Sequence, residues 1–246
     1  MNTYRADLHL HTVLSPCGDL EMSPANIISK ACEKGLDIIG ITDHNSTKHC
    51  KLIKKMAELA GIFVLMGAEV TTREEVHCLT FFENDIQLDE FQQYLEEHLP
   101  PIHNNIEKFG YQVVVDENEN ILEQVDFLLL SALDQSIEQI EKKVHSLDGI
   151  FIPAHIDRPS YSIISQLGFI PSGLLIDGIE ISANCKLQSA IPLIPKRFEK
   201  SIIRSSDAHY IQDVGKVFTV FEMECRTFSE IKKALQNTME RKVSLT

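Results

Sequence analysis

The sequence contains no tryptophan and no Cys-x-x-Cys pair, and its six cysteines are scattered along 246 residues. This spacing argues against a structural zinc ribbon and against a disulfide framework, so we expect small reduced core residues. The chain has no apolar run long enough to span a bilayer and no signal peptide before its first predicted strand. These absences predict a cytoplasmic protein that does not bind membranes.

Basic residues are scarce, with 23 lysines and arginines against 36 acidic residues and a formal net charge of −13. Such a chain lacks the basic stripe that non-specific binding of long nucleic acid requires. Bound metal cations would offset part of this charge locally. The sequence also lacks a Gly-x-Ser-x-Gly elbow and a P-loop, so no side-chain nucleophile is indicated.

The most informative segment lies near the start and reads Ala6-Asp7-Leu8-His9-Leu10-His11-Thr12. Side chains alternate between the faces of a strand, so Asp7, His9 and His11 share one face. Two imidazoles in a core are costly unless something satisfies them, and a divalent metal ion does so. For this segment by itself, a pair of hydrogen-bonded structural histidines remains the alternative.

Three later segments repeat the form of an apolar strand that ends in carboxylates or histidines. They are Ile38 to Asn45, Phe151 to His155 and Ile202 to His209. Active sites of barrels built from parallel strands lie at the C-terminal ends of those strands. The alternation of strands and helices therefore predicts one α/β barrel domain over residues 1–246.

Local signals divide the chain further. Ser23 and Pro24 are typical of a helix start and Gly35 of a helix end. The predicted helices cover Ala25 to Lys34, Thr47 to Ala60, Leu88 to Leu99, Ser136 to His145 and Ser229 to Glu240; further strands cover Ile62 to Val70, His77 to Phe82, Gly178 to Ser182 and Val217 to Phe221. A short hairpin within residues 111–122 interrupts the alternation, and we interpret residues 88–146 as a small insertion on the barrel.

Five motifs in order resemble the PHP (polymerase and histidinol phosphatase) family of metal-dependent phosphoesterases. The motifs are His9-Leu10-His11, Thr42-Asp43-His44-Asn45, Gly67-Ala68-Glu69-Val70, Pro153-Ala154-His155 and Ser206-Asp207-Ala208-His209. The resemblance covers most of the chain outside residues 88–146. It implies a distorted TIM-like (β/α)7 barrel with up to three metal ions at the C-terminal ends of its strands.

The resemblance also implies a ligand set for two or three divalent ions, with zinc, manganese or iron as candidates. His9, His11 and Asp207 would hold a first ion, which Glu69 would bridge to a second. His77 and His155 would complete the second ion, and His44, His209 and Asp19 would hold a third. Asp19 lies further along the chain than the family places this ligand. If Asp19 is instead a solvated loop carboxylate, the centre is dinuclear, and His77 has the alternative of a satisfied core histidine.

The predicted function is hydrolysis of a small phosphomonoester or a short nucleotide by a metal-bound hydroxide. Asp207 is the candidate acceptor of the proton from the attacking water. Arg158 is the candidate phosphate clamp, with a surface salt bridge as the alternative. The competing hypotheses are an exonuclease on short oligonucleotides, a non-catalytic scaffold and a carbon–nitrogen hydrolase.

Other polar residues receive supporting or surface roles. We expect Asp7 and Asp43 to accept hydrogen bonds that orient imidazoles. Glu180 either does the same or lies at the edge of the core. The remaining histidines are predicted to be on the surface; they are His49, His98, His103 and His145.

Overall fold

The computed structural model describes residues 1–245 as short helices packed around strands. The strands are β1 (Asn2–Leu10), β2 (Ile38–Ile41), β3 (Phe63–Thr71), β4 (His77–Phe82), β5 (Val113–Val115), β6 (Ile121–Gln124), β7 (Ile150–Pro153), β8 (Ile179–Ile181), β9 (Ile202–Arg204), β10 (Thr219–Met223) and β11 (Lys242–Leu245). The helices are α1 (Pro24–Lys34), α2 (Cys50–Leu59), α3 (Asp85–His98), α4 (Ile106–Phe109), α5 (Ile137–Ser146), α6 (Ile163–Leu167), α7 (Leu187–Ala190) and α8 (Phe228–Leu235). Short 3-10 turns cover Ile191–Leu193, Lys196–Phe198 and Ile211–Asp213.

Seven strands, β1 to β4 and β7 to β9, form a distorted barrel, as the family resemblance implies. Strands β1, β2 and β3 pair in parallel, and β4 pairs antiparallel with both β3 and β7. The amide of Ile156, just after β7, donates to the Glu180 carbonyl of β8 at 3.0 Å. Strand β8 pairs in parallel with β9, and Ala208, beyond β9, bridges back to Leu10 of β1. Strand β10 pairs antiparallel with β1 on the edge opposite β2, and β11 extends the sheet from β10.

The direction of β4 differs from the parallel arrangement that the sequence alternation indicates. Only residues 72–76 separate β3 from β4, whereas a parallel connection needs a crossover of about a dozen residues or more. The strands therefore pair as neighbours in opposite directions, with Thr71 opposite His77. This reversal places the first residue of β4 at the end of the barrel where β3 finishes.

Two buried apolar clusters hold the helices against the strands. One contains Leu8, Leu79 and Ile152 of the strands together with Ile231 and Leu235 of α8. The other packs the apolar faces of α1, α2, α3 and α5 against the sheet. At about 25 cal/mol per Å² of buried apolar surface, such clusters are the main favourable term in folding. The polar end of the barrel therefore rests on an apolar base.

Helix α1 begins and ends as its sequence predicts. The Ser23 side chain accepts a hydrogen bond from the Asn26 amide, Pro24 occupies the first turn, and Gly35 ends the helix with φ of 64°. A left-handed residue at this position is most easily a glycine, which has no Cβ to clash. The predicted hairpin is also confirmed as β5 and β6.

The C-terminal prediction is wrong beyond α8. We expected a helix to Glu240, but α8 ends at Leu235 and the chain then enters β11. Asn237, Met239 and Glu240 have positive φ, which ends the helix and reverses the chain. Strand β11 then pairs antiparallel with β10.

Residues 88–146 contain most of α3, then α4, the β5–β6 hairpin and all of α5. An Asn84–Gln87 capping box starts α3, and a Ser136–Gln139 capping box starts α5. That residues 1–246 form one domain with an insertion at about 88–146 stays a prediction. Within residues 1–245, no helix has the length and apolar character that crossing a membrane would require.

Candidate metal centre

One end of the barrel gathers eight of the nine predicted metal ligands. They are His9, His11, His44, Glu69, His77, His155, Asp207 and His209. The ends of β1 and β3, the start of β4 and the loops after β2, β7 and β9 supply them. Three subsets have ligand atoms that all lie within 4.8 Å of one another: His9, His11, Glu69 and Asp207; His44, Glu69 and His77; and His11, His44 and His209.

The Glu69 carboxylate lies in the middle of these ligands, and the residue is 1% exposed. Its Oε1 atom lies 2.9 Å from His77 Nδ1, 3.1 Å from His155 Nε2 and 3.3 Å from His9 Nε2. Its Oε2 atom lies 3.2 Å from His44 Nδ1 and 3.4 Å from His11 Nε2. One buried carboxylate thus touches five imidazoles, which is the geometry that the bridging role requires.

The two histidines of β1 face the same space. His9 Nε2 and His11 Nε2 are 3.2 Å apart, and Asp207 Oδ1 lies 3.3 Å from the first and 3.2 Å from the second. The Nδ1 atom of His9 donates to Glu180 at 3.0 Å. Glu180 therefore orients His9, which settles the alternative that the sequence left open for this carboxylate.

A hydrogen-bond chain orients His11 in the same way. Because the Ser15 hydroxyl donates to Asp43 Oδ1 at 2.7 Å, it must accept from His11 Nδ1 at 3.0 Å. The Nδ1 proton of His11 is thus committed, and its Nε2 lone pair faces the centre. Asp43 supports an imidazole as predicted. Asp7 differs, since its carboxylate accepts from the Ser206 and Gly215 amides and so holds the loop that carries Asp207.

The surface prediction for His49 is wrong, because its side chain is fully buried. The Val115 amide donates to His49 Nε2 at 3.0 Å, so Nδ1 carries the proton and donates to Thr12 Oγ1 at 2.6 Å. The Thr12 hydroxyl in turn donates to Asp43 Oδ2 at 2.8 Å. His49 therefore links the β5–β6 hairpin to the network behind His11, a role that its sequence neighbourhood does not signal.

Asp19 is the predicted ligand with the least structural support. Its amide donates to the His209 carbonyl at 2.8 Å, so the loop folds back toward the centre. Its Oδ1 atom accepts from the Glu21 amide at 2.8 Å. Among residues 1–245, the carboxylate of Asp19 belongs to none of the three ligand groups.

The donor atoms at the centre fit divalent metal ions. With both Nδ1 protons committed, the Nε2 lone pairs of His9 and His11 face the carboxylate oxygens of Glu69 and Asp207. Acceptors that face one another need a cation between them, or else protonated imidazoles. Asp207 Oδ1 and His44 Nδ1 are also buried without a hydrogen-bond partner. Imidazole nitrogen and carboxylate oxygen are the ligands that zinc, manganese and iron accept.

The electrostatics of the centre agree with its crowding. Burial lowers the pKa of the His9 imidazole, but Glu180, Asp207 and Glu69 outweigh burial and raise it well above its usual value. Burial and the neighbouring His11 lower the pKa of His209 to about 4. For Glu69 burial acts to raise the pKa, yet the surrounding imidazoles bring it well below its usual range. The carboxylate therefore stays ionised at neutral pH.

Several of these residues have strained backbones. His155, Asp207 and Tyr161 have φ values of 27°, 51° and 57°, a region that non-glycine residues rarely adopt. Such strain concentrates at functional sites, where the surrounding structure enforces it. His155 and Asp207 are candidate ligands, and the ring of Tyr161 stacks on His77.

Arg158, the predicted phosphate clamp, lies beside the centre. Its Nη2 atom is 2.5 Å from Asp207 Oδ2, and its side chain is 41% exposed. The structure thus shows an ion pair, but the partner is a candidate metal ligand and not an ordinary surface carboxylate. Another arginine, Arg73, is exposed, and its Nη2 atom lies 3.7 Å from Glu74 Oε1.

The fold and the side-chain cluster define a strand barrel with a candidate metal site rich in histidines and carboxylates. Residues 7–156 match the PHP domain model and residues 195–238 match the PHP-associated model. The chain therefore belongs to the PHP family, as its motifs predict.

The chain is also similar to several individual proteins. The chain is 24% identical to the uncharacterised protein YqxK of Bacillus subtilis, over 99% of the chain and 64% of that protein. It is similar to the lesion-specific endonuclease Q of Pyrococcus furiosus, with a TM-score of 0.68, 23% identity and coverage of 98% and 58%. An endonuclease Q complex with a 27-mer duplex that carries an abasic lesion at the active site gives a TM-score of 0.65 at 21% identity, with coverage of 98% and 58%.

A third likeness is to a Bifidobacterium adolescentis protein provisionally described as a metal-dependent phosphoesterase. Its TM-score is 0.62 at 18% identity, with coverage of 83% of the chain and 87% of that protein. The chain spans less than two thirds of the length of YqxK and of endonuclease Q. At these identities the solved structures show a shared fold.

Proposed function

We propose that this chain is a metal-dependent phosphoesterase that hydrolyses a small phosphomonoester or a short nucleotide. The observation that carries the proposal is the cluster around Glu69, where one carboxylate touches five imidazoles. Two or three divalent ions held there would supply Lewis-acid activation of water and neutralise the charge of a phosphate. Zinc, manganese and iron are the candidates because the ligands are imidazoles and carboxylates.

The ligands carry fewer charges than the ions they would hold. Glu69 and Asp207 contribute two negative charges and the imidazoles bind as neutral ligands, so two or three divalent ions leave the centre positive. A positive, largely buried centre attracts phosphate oxygens. The apolar base beneath it excludes water from the other side.

Arg158 would bind the substrate phosphate. The guanidinium already lies 2.5 Å from Asp207 Oδ2, at the edge of the centre, and it matches phosphate in a bidentate way. A phosphate held by the ions would compete with Asp207 for this cation. The role of Asp207 as proton acceptor stays a prediction. Burial acts to raise the pKa of the Asp207 carboxyl, but His9 and His11 bring it well below its usual value, which makes the carboxylate a weak base.

A metal count tests the centre. We expect more than one tightly held divalent ion per chain, because the three ligand groups offer more donors than one tetrahedral ion uses. Elemental analysis of protein purified with metal supplementation gives the number directly. A value of one ion or fewer per chain would contradict a multinuclear centre, and a value of two would leave Asp19 outside it.

Substrate length tests the phosphoesterase proposal. The β5–β6 hairpin and its flanks carry Asp116, Glu117, Glu119 and Glu123, and the whole chain is acidic. Proteins that follow a polymer backbone use a basic groove, which a net charge of −13 opposes. We expect the catalytic efficiency to be highest for a mononucleotide or a dinucleotide and to fall with length.

The likeness to endonuclease Q favours a second candidate, cleavage within DNA. The same length series distinguishes the two, measured at fixed ionic strength because salt changes polyanion binding. If efficiency rises from a mononucleotide to oligomers of tens of nucleotides, or if a lesion-bearing duplex is the best substrate, the endonuclease replaces the small-substrate phosphoesterase. Ammonia release from amide substrates would instead indicate carbon–nitrogen hydrolysis.

A further inference from the structure

The loop from His155 to Ser162 lies beside the metal centre and is fixed at several points. The Ser162 hydroxyl donates to the Arg158 carbonyl at 2.7 Å, and the Arg158 amide donates to the His155 carbonyl at 3.0 Å. Asp157 accepts from the amide and hydroxyl of Ser182 at 2.7 and 2.6 Å. The backbone of this loop is therefore preorganised, and Arg158 and Tyr161 are among its side chains that reach solvent.

Tyr161 occupies an unusual position for an aromatic residue. Its ring stacks on the imidazole of His77, with centroids 4.7 Å apart and planes at 23°. The residue is nevertheless 46% exposed. Since His77 covers one face of the ring, the exposed part of the residue lies away from this contact.

The backbone of Tyr161 is strained, and a hydrogen bond from the backbone of His77 holds it in place. Its φ is 57°, and its carbonyl accepts from the His77 amide at 2.8 Å. A left-handed conformation is unfavourable for a bulky residue and persists only when its surroundings enforce it. The result is a partly exposed aromatic ring fixed next to a candidate metal ligand.

We propose that Tyr161 is a specificity residue that stacks on a planar ring of the substrate, which makes a nucleotide the substrate class. This inference rests on the proposed phosphoesterase function and narrows it. Arg158 lies three residues earlier in the same loop and would hold the phosphate, while the exposed part of the Tyr161 ring receives the base. Every nucleobase has a π-face, so the contact selects nucleotides without selecting one base.

Stacking predicts a difference between two substrates that share a phosphate. Adenosine 5′-phosphate carries a base and ribose 5-phosphate does not. Base–aromatic stacking corresponds to about tenfold or more in binding when the aromatic ring is removed. We expect Tyr161→Leu to raise KM for adenosine 5′-phosphate by about tenfold and to leave KM for ribose 5-phosphate unchanged. Tyr161→Phe, which keeps the ring, should behave like the natural protein on both substrates.

The metal-loaded full chain serves for every measurement, and elemental analysis of each variant shows whether the centre is intact. If Tyr161 merely supports His77, Tyr161→Leu will lose metal or will change both substrates alike, and the stacking proposal is then wrong. Direct titration calorimetry with the same two ligands provides a readout that does not need turnover. Tighter binding of adenosine 5′-phosphate that depends on the Tyr161 ring supports the site even if no phosphoester is hydrolysed, which separates this inference from the proposed function. Equal binding of the two ligands overturns it.

Discussion

Glu69→Gln should lower phosphoesterase turnover at least about 100-fold. Groups that only orient metal ligands contribute about 10- to 100-fold, and Glu69 touches five of the candidate ligands directly. The substitution keeps the size of the side chain but removes the negative charge that lies between the five imidazoles. A 100-fold loss corresponds to about 2.7 kcal/mol in the activation barrier.

The barrel should remain folded in this variant, since its apolar clusters lie outside the centre. Circular dichroism and the thermal midpoint check the fold, and elemental analysis checks the metal content. Glu83→Gln makes the same change in charge at an exposed position beyond the other end of β4 and is the matched control. Full turnover in folded Glu69→Gln would show that the metal assignment is wrong.

The sequence predicts which side chains gather at the candidate centre better than it predicts the path of the chain. Metal ligands are polar residues in places where an apolar strand should continue, so His9, His11 and Asp207 stand out against their neighbours. The antiparallel direction of β4 has a weaker signal. It depends on the length of the connection after β3, which becomes clear only when both strand ends are known.

The supporting residues are less visible for a physical reason. His49 lies 37 positions from Thr12, and its buried bonds to Thr12 and Val115 exist only once the loop after β1, the start of α2 and the β5–β6 hairpin come together. No local pattern separates such a histidine from one in a solvated turn. Tyr161 is similar, because only the structure shows that its ring stacks on His77. Residues that act through tertiary contacts are therefore found from the structure.

Asp43→Asn should have the second-largest effect, because the carboxylate accepts three hydrogen bonds in a buried site. Its Oδ1 atom accepts from the Thr12 amide and the Ser15 hydroxyl at 2.7 Å each, and its Oδ2 atom accepts from the Thr12 hydroxyl at 2.8 Å. An amide offers one acceptor atom and one NH2 group. In either orientation, a buried donor faces the NH2 group and loses its partner.

The unpaired donor should lower the free energy of unfolding by about 1–3 kcal/mol. If Ser15 loses its acceptor, it no longer fixes the Nδ1 proton of His11, so the Nε2 lone pair is no longer held toward the metals. We therefore expect metal affinity and turnover to fall about 10- to 100-fold, the effect typical of groups that orient a metal-bound histidine. Chelator competition gives the affinity, and chemical denaturation gives the stability.

Two further variants show whether Asp43 acts through Ser15. Ser15→Ala removes the hydroxyl that His11 donates to, so it should reproduce the loss of metal affinity. The double variant should then lose little more affinity than Asp43→Asn by itself, because residues in one hydrogen-bond network are not additive. Asp89→Asn, at an exposed ion pair with Lys51, is the control for charge and should change neither quantity. Independent, additive losses would place the effect of Asp43 in the packing of Thr12 and His49, with no link to the imidazole of His11.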